Sequence, residues 1–371
     1  MKKNQLILGL VAIACLAALL LWGRSRIHFD FAVFRAQLAQ ANWIEIAFSA
    51  GGIYLAYAFR SARWARLLKH NKAVGPFFLL GTQVIGFTAV ALIGRVADPV
   101  RPYLVAKKTG LPLSSQLAVY IVERLCDAGS MALIFSFAML WVPYSEIMKA
   151  TSHSRLVSGL GSHSPFLAAF AARYGGLVLT LLGALFLAAV RWAGGTVASM
   201  AERSFGLFSK KLGAAAGDKI RAFHAGLDTM RTLSEFSAVA ALSIGMWLLI
   251  AAAYFAGCHA FAASPELASV TPSKCVLLMV ASGGASIFQL PVLGWFTQIG
   301  IVAAAITGLI GANAEAATAC ATVLLLTTFL GIIPVGLIWA QLDHINLRKV
   351  TVESEHAGEA ITASESSSAS E

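Results

Sequence analysis

The sequence predicts an all-α, polytopic transmembrane helix bundle, with about eight full spans of ~20 apolar residues each plus a re-entrant segment. Two observations predict it. Of 371 residues, 58% are apolar and only 12% charged, whereas a soluble domain carries about 25% charged residues. Apolar stretches long enough to cross a bilayer also recur along most of the chain. The formal net charge of +10 does not point to nucleic acid, because the basic residues cluster in loops between apolar segments. That arrangement follows the positive-inside rule and favours anionic lipid head groups.

Taken in order, Lys2 and Lys3 precede an apolar run from Leu6 to Trp22. The run exceeds a signal-peptide core of ~7–15 residues, and Trp22-Gly23-Arg24 follows in place of a small-residue cleavage site. It reads as an uncleaved first span. The full spans are expected over 5–22, 42–60, 116–142, 174–191, 236–256, 274–290, 297–312 and 315–340. The apolar stretch 76–94 and the block that follows it to Tyr103 lie between Lys69/Lys72 and Lys107/Lys108, and together read as a re-entrant hairpin.

Sixteen basic residues fall on one side, among them Arg60, Arg63, Arg66, Lys69 and Lys72 after the second span, and seven on the other. This bias predicts a multi-pass protein of the cytoplasmic (inner) membrane with both termini cytoplasmic. The connection 192–235 mixes Phe205, Leu207, Phe208, Leu212, Ile220, Phe223 and Leu227 with basic residues. It fits amphipathic helices on the membrane surface or a solvated helical hairpin. The integral membrane domain is placed at 1–345, and the Ser- and Glu-rich segment 346–371 reads as a disordered tail. The five cysteines form no CxxC pair and the eight histidines are scattered, so no metal site or cofactor is expected.

Two apolar stretches are broken by Gly, Pro and polar residues. The first contains Gly94-Arg95-Val96-Ala97-Asp98-Pro99-Val100-Arg101-Pro102. Irregular backbone at membrane depth survives only where it is buried in protein or lines a wet cavity. Arg95, Asp98 and Arg101 are therefore expected to face a cavity, with Pro99 and Pro102 blocking regular helix. The second contains Gln289-Leu290-Pro291-Val292-Leu293-Gly294-Trp295-Phe296-Thr297-Gln298. Pro291 should end or kink a helix, Gly294 permits close backbone approach, and Gln298 should face the same cavity as Arg95 and Arg101. Paired interruptions of this kind mark a transporter's central site, or structural kinks.

Between them lie Glu123, Arg124 and Asp127 on adjoining helix faces. Ionisable residues at membrane depth face the bundle interior and pair with one another. The reading is a buried ion network or part of a substrate site. Two acids against one arginine leave a negative charge for Arg95 or Arg101 to neutralise.

The block Gly94-Arg95-Val96-Ala97-Asp98-Pro99-Val100-Arg101-Pro102-Tyr103, with Glu123-Arg124-Leu125-Cys126-Asp127 after it, resembles the flippase-like membrane protein family. That family shares its membrane region with lysylphosphatidylglycerol synthases. The family signatures fall on Gly94, Asp98, Arg101, Glu123, Arg124 and Asp127, while Gln298 stands where an acid often occurs. About thirty residues follow the last expected span, too few for a catalytic fold. The resemblance is thus to the translocating half without the soluble synthase domain.

It implies translocation of an anionic or phosphate-bearing lipid, not an enzyme, with arginines holding the phosphate. The alternatives are a membrane-embedded transferase using Glu123 or Asp127 as base, and a non-transporting partner of an envelope-lipid biosynthesis enzyme. The expected partners are membrane lipids, with no nucleic acid. No nucleotide-binding motif is present in the sequence.

Overall fold

A computed structural model describes residues 29–143, 145, 165–207, 209, 213, 214, 217, 232–286, 293–347 and 349–354. The described residues are helical, with no strand among them. In chain order the helices are α1 (Phe31–Ala39), α2 (Trp43–Leu68), α3 (Pro76–Ile93), α4 (Val100–Thr109), α5 (Leu113–Trp141) and α6 (Pro165–Gly206). There follow α7 (Leu233–His259), α8 (Pro265–Ala268), α9 (Pro272–Ala285), α10 (Leu293–Ile310), α11 (Ala314–Leu325) and α12 (Ile332–Leu342). A 3-10 turn, Arg95–Ala97, joins α3 to α4, and a π-helical turn, Leu326–Leu330, joins α11 to α12.

The boundaries have local causes. Asn42 accepts a hydrogen bond from the Ile44 amide, Thr232 from Glu235 and Asn313 from Ala316, each relieving an orphan donor of the first turn. Pro76 opens α3 at a position where its missing N–H is not needed. Gly94 ends α3 at φ 93° and ψ −169°, a backbone region essentially confined to glycine. The chain therefore reverses at Gly94. Lys72 then donates to the Thr109 carbonyl at 2.7 Å and Lys108 sits 5.0 Å from the Phe78 ring, so α4 ends where α3 began.

Three described helices are long and apolar enough to cross a membrane: Pro76–Ile93, Ser234–His259 and Ala314–Leu342. The first is the stretch read as re-entrant. Its 18 residues span about 27 Å, close to the ~30 Å hydrocarbon thickness. It is a span-length helix followed by a shorter returning limb, α4, so the expected hairpin is present with one limb of full membrane-crossing length.

Several expectations change. The span expected over 42–60 continues to Leu68 as one helix of 26 residues. That expected over 174–191 lies inside a 42-residue helix that kinks at Ala193 and runs through the first part of the 192–235 connection. Residues 1–28, including the expected first span, lie outside the described residues, as do most of 208–231. Pro102 does not interrupt a helix. It occupies the first turn of α4, where an amide hydrogen has no partner to lose. Gly294 likewise sits inside the first turn of α10, while Pro291 lies outside the described residues. The tail expected to be disordered from 346 is helical over 349–354, with Val350, Thr351 and Ser354 buried and Tyr103 donating to Glu353 at 2.9 Å. Small polar side chains let this turn pack on α4. Residues 355–371 are outside the described set.

Apolar cores flank a charged centre. One cluster joins α7, α9, α10 and α11 around Cys258, Cys275, Ile306 and Cys320. Another joins α2, α3 and α5 around Trp64, Leu67, Leu79 and Val122. Between them run the arginines and carboxylates of α2, α4 and α5.

Candidate functional site

Glu123 and Asp127 lie one turn apart on α5 and are 1% and 5% exposed. Charges that deep persist only with close partners, and arginines supply them. Arg63 of α2 places Nη2 2.6 Å from Glu123 Oε1 and Nη1 2.7 Å from Asp127 Oδ1, and also donates to Ser243 Oγ at 2.9 Å. Arg101 of α4 puts Nη2 2.8 Å from Glu123 Oε2 and donates twice to Gln83 Oε1, at 2.7 and 3.1 Å. Arg124 reaches Asp127 at 3.0 Å and Glu123 at 3.3 Å. Arg60 is held more loosely, 3.5 Å from Asp127 and 3.6 Å from Glu123. Trp247 of α7 donates to Asp127 at 3.3 Å.

Arg101 is wholly buried in an aromatic cage, its guanidinium 4.3 Å from the Phe87 ring centre, 5.3 Å from Trp64 and 5.6 Å from Tyr120. Cation–π attraction of this kind is strongest when desolvated. Its aliphatic stem passes so close to Gly86 that a Cβ there would collide with it.

A cavity of about 290 Å³ adjoins this network. Arg60, Arg95, Arg124 and Asp127 supply its charged wall, and Ser282, Ser286, Gln298 and Thr328 an uncharged polar wall. Thr328 belongs to the π turn, a feature often found at functional sites. The two interrupted segments meet here. Arg95 donates through Nε to the Ser286 carbonyl at 3.0 Å and through Nη2 to its Oγ at 2.6 Å, while Trp295 donates to the Ala91 carbonyl at 3.2 Å. Gln298 Nε2 donates to Ser282 Oγ at 3.0 Å, and its Oε1 is buried without a partner.

The structure thus divides the residues singled out from the sequence. Arg95, Arg124, Asp127 and Gln298 border one cavity. Asp98 stands beside Arg95 at 3.6 Å, outside the cavity wall. Glu123 and Arg101 lie behind it, so Arg101 does not face the cavity as expected. Its Nε and Nη2 are bonded to Gln83 and Glu123, and its Nη1 is buried without a hydrogen-bond partner inside the aromatic cage. Gly94 is the backbone break, and Pro99 precedes the first turn of α4.

Two central residues were assigned elsewhere from the sequence. Arg60 and Arg63 were counted with the basic loop after the second span, yet both lie within α2, 8% and 1% exposed. Their signal was periodicity: Tyr57, Arg60, Trp64 and Leu67 recur every three or four residues along one helical stripe, with Arg63 three after Arg60 on the same side. The correction also shifts the charge balance. Two acids expected to be balanced by Arg124 together with Arg95 or Arg101 become two carboxylates among four arginines, Arg60, Arg63, Arg101 and Arg124. The centre carries an excess of two positive charges.

No curated protein and no solved structure matches the chain. A family model described as the lysylphosphatidylglycerol synthase TM region matches residues 6–336. With that match spanning nearly the whole chain, over apolar helices of membrane-crossing length and a buried charged centre, the protein belongs to the lysylphosphatidylglycerol synthase transmembrane-region family, membrane proteins related to lipid modification or translocation.

Proposed function

We propose that the chain translocates a lipid with an anionic or phosphate-bearing head group across the cytoplasmic membrane, and is not itself an enzyme. One observation carries this reading: the cavity wall presents three arginines, Arg60, Arg95 and Arg124, against the single carboxylate of Asp127. Excess guanidinium charge away from bulk water favours an incoming anion, and its planar fork suits two phosphate oxygens at once. The volume supports the same assignment. At ~30 Å³ per water, 290 Å³ holds about ten waters, the scale of a head group and not of acyl chains. The tails then remain in lipid while the head group crosses.

A transferase using Glu123 or Asp127 as general base fits less well. Each carboxylate is held by at least three arginines, which occupy its oxygens and leave it little freedom to reach a proton on a substrate. A non-transporting partner of an envelope-lipid enzyme would keep the cavity and lose the movement.

Reconstitution of the purified protein in vesicles carrying a fluorescent anionic phospholipid separates these readings. The wild type should expose the inner-leaflet label to an external quencher faster than protein-free vesicles do. Arg95→Ala should lower that rate about tenfold, the effect of ~1.4 kcal/mol of head-group binding. Transfer no faster than in empty vesicles would end the proposal. The surrounding basic residues support both termini on the cytoplasmic side, and a cysteine introduced at position 210 should stay unlabelled by an impermeant thiol reagent added to intact cells. Strong labelling there would invert the orientation.

A further inference from the structure

Among the described residues four have positive φ, and three of them surround α4. Gly94, at 93°, precedes the turn that leads into the limb, and Gly110, at 71°, ends it. His344, at 53°, turns the chain out of α12 and back over the same limb. Glycine takes such backbone without a Cβ penalty, so the ten residues of α4 hang between two joints. A non-glycine residue at positive φ is uncommon. It persists where the structure around it holds it there.

Beyond His344 the chain forms a short helical turn seated on α4. Ile345 donates to the Ala340 carbonyl at 2.7 Å, and the Asn346 side chain accepts from the Lys349 amide at 3.1 Å. Val350, 4% exposed, joins Ile85, Ala89, Val100 and Leu104 in one apolar cluster. Two polar contacts flank the overlap. Tyr103 donates to Glu353 at 2.9 Å, and Lys108 Nζ lies 3.5 Å from Asp343.

The limb is therefore gripped on two faces, and the grips differ. Arg101 leaves α4 toward Glu123 and is wholly buried. The contacts of the C-terminal turn are part-exposed, with the Lys108 and Asp343 side chains each 30% exposed, and pairs of that kind contribute little and yield to salt. The Arg101 side chain is also long, so its guanidinium can stay on Glu123 while the backbone that carries it shifts. Lys72 holds the Gly110 end through the Thr109 carbonyl, which fixes a joint and leaves the middle of the limb to the turn.

We propose that the C-terminal turn, residues 345–354, is a latch on α4. Its release lets the limb pivot on Gly94 and Gly110 about the Arg101 tether, as hinged elements do through a few terminal residues. The pivot exposes the inner face of α4 and opens the charged centre at that end of the bundle. The latch acts on the limb itself and is independent of what the cavity binds.

The test uses the full-length detergent-purified protein, freed of its native cysteines, and the rate at which a maleimide labels one introduced cysteine. Val105→Cys is the reporter. Val105 is wholly buried one turn from Arg101, in the cluster with Trp64 and Leu79 and not in the one the latch covers. Its exposure therefore reads movement of the limb and not removal of the turn. Leu79→Cys, equally buried in the same cluster but on α3, is the control. Val350→Asp should raise labelling of the reporter about tenfold, the low end of what losing one buried valine gives, and leave the control unchanged. Tyr103→Phe keeps the ring, removes one hydrogen bond, and should raise the reporter rate about threefold. This milder variant, combined with Lys108→Ala, carries the same expectation if Val350→Asp does not fold. A reporter rate unchanged by release in folded protein would overturn the latch. An equal rise at the control would overturn it too, because the whole bundle and not the limb would then have loosened.

Discussion

The two interrupted segments meet at one cavity but are built from opposite chemistry. The first, between α3 and α4, breaks at a glycine whose dihedral angles other residues avoid, and carries Arg95, Asp98 and Arg101 within eight residues. The second, between α9 and α10, brings no charge. It offers Ser282, Ser286 and Gln298, which hold one another or Arg95 by hydrogen bonds of 2.6 to 3.0 Å. The difference teaches a division of labour. Charge at membrane depth requires a tightly braced limb, and the first segment is braced by α2 and α5. Neutral hydroxyls and amides need only local partners, so the second segment can present unpaired capacity without destabilising the bundle.

The first segment is itself divided, and the largest expected effect tests that division. Arg101 and Arg95 lie six positions apart, but one is fully buried and the other has a side chain 39% exposed. Arg101→Ala strips Glu123 of a partner it holds at 2.8 Å and empties the aromatic cage. Breaking a buried pair costs about 3–5 kcal/mol, so the variant should melt far below the wild type or fail to purify as a monodisperse species. Arg95→Ala should melt within a few degrees of the wild type, because a partly exposed ion pair contributes only ~0–1 kcal/mol. Equal melting temperatures for the two variants would erase the distinction between the braced arginine and the cavity arginine.

A smaller effect probes the junction between the segments. Arg95 touches both the carbonyl and the hydroxyl of Ser286, so cysteines at positions 95 and 286, in a background without the native cysteines, should crosslink with a short bifunctional reagent. Little change in stability is expected. Crosslinking should be slowed by an anionic short-chain phospholipid that occupies the cavity. No crosslink with reagents of several lengths would separate the segments and dissolve the comparison.

Much of this arrangement was legible in the sequence, for physical reasons that differ by residue. Glu123 and Asp127 were readable because acids in an apolar run have no explanation except burial with partners. Arg95 and Gln298 were readable because each follows a backbone interruption at membrane depth. Arg60 and Arg63 were not read correctly. A basic cluster after an apolar stretch looks the same whether it anchors a loop at the membrane surface or continues inward as a helix. Only the stripe with Tyr57 and Trp64 separates the two cases. That single reassignment changed the centre from a balanced set of charges to one with an excess of arginines. Arg101 was placed in the right neighbourhood and given the wrong neighbour, since sequence proximity to Arg95 says nothing about which side of α4 it occupies.

Gly86 shows how such a centre constrains variation at a distance. By its position in a mostly apolar helix it resembles any small residue of a lipid-spanning segment, where alanine is an ordinary replacement. Its α-carbon, however, leaves the groove through which the stem of Arg101 reaches Glu123. Even a methyl group there would displace the arginine, so the penalty at position 86 depends on what occupies position 101. The two sites are epistatic. A methyl group that displaces the arginine becomes mild beside a shorter uncharged side chain, provided Glu123 has been neutralised as well. Change at this centre is therefore expected in concert across three helices.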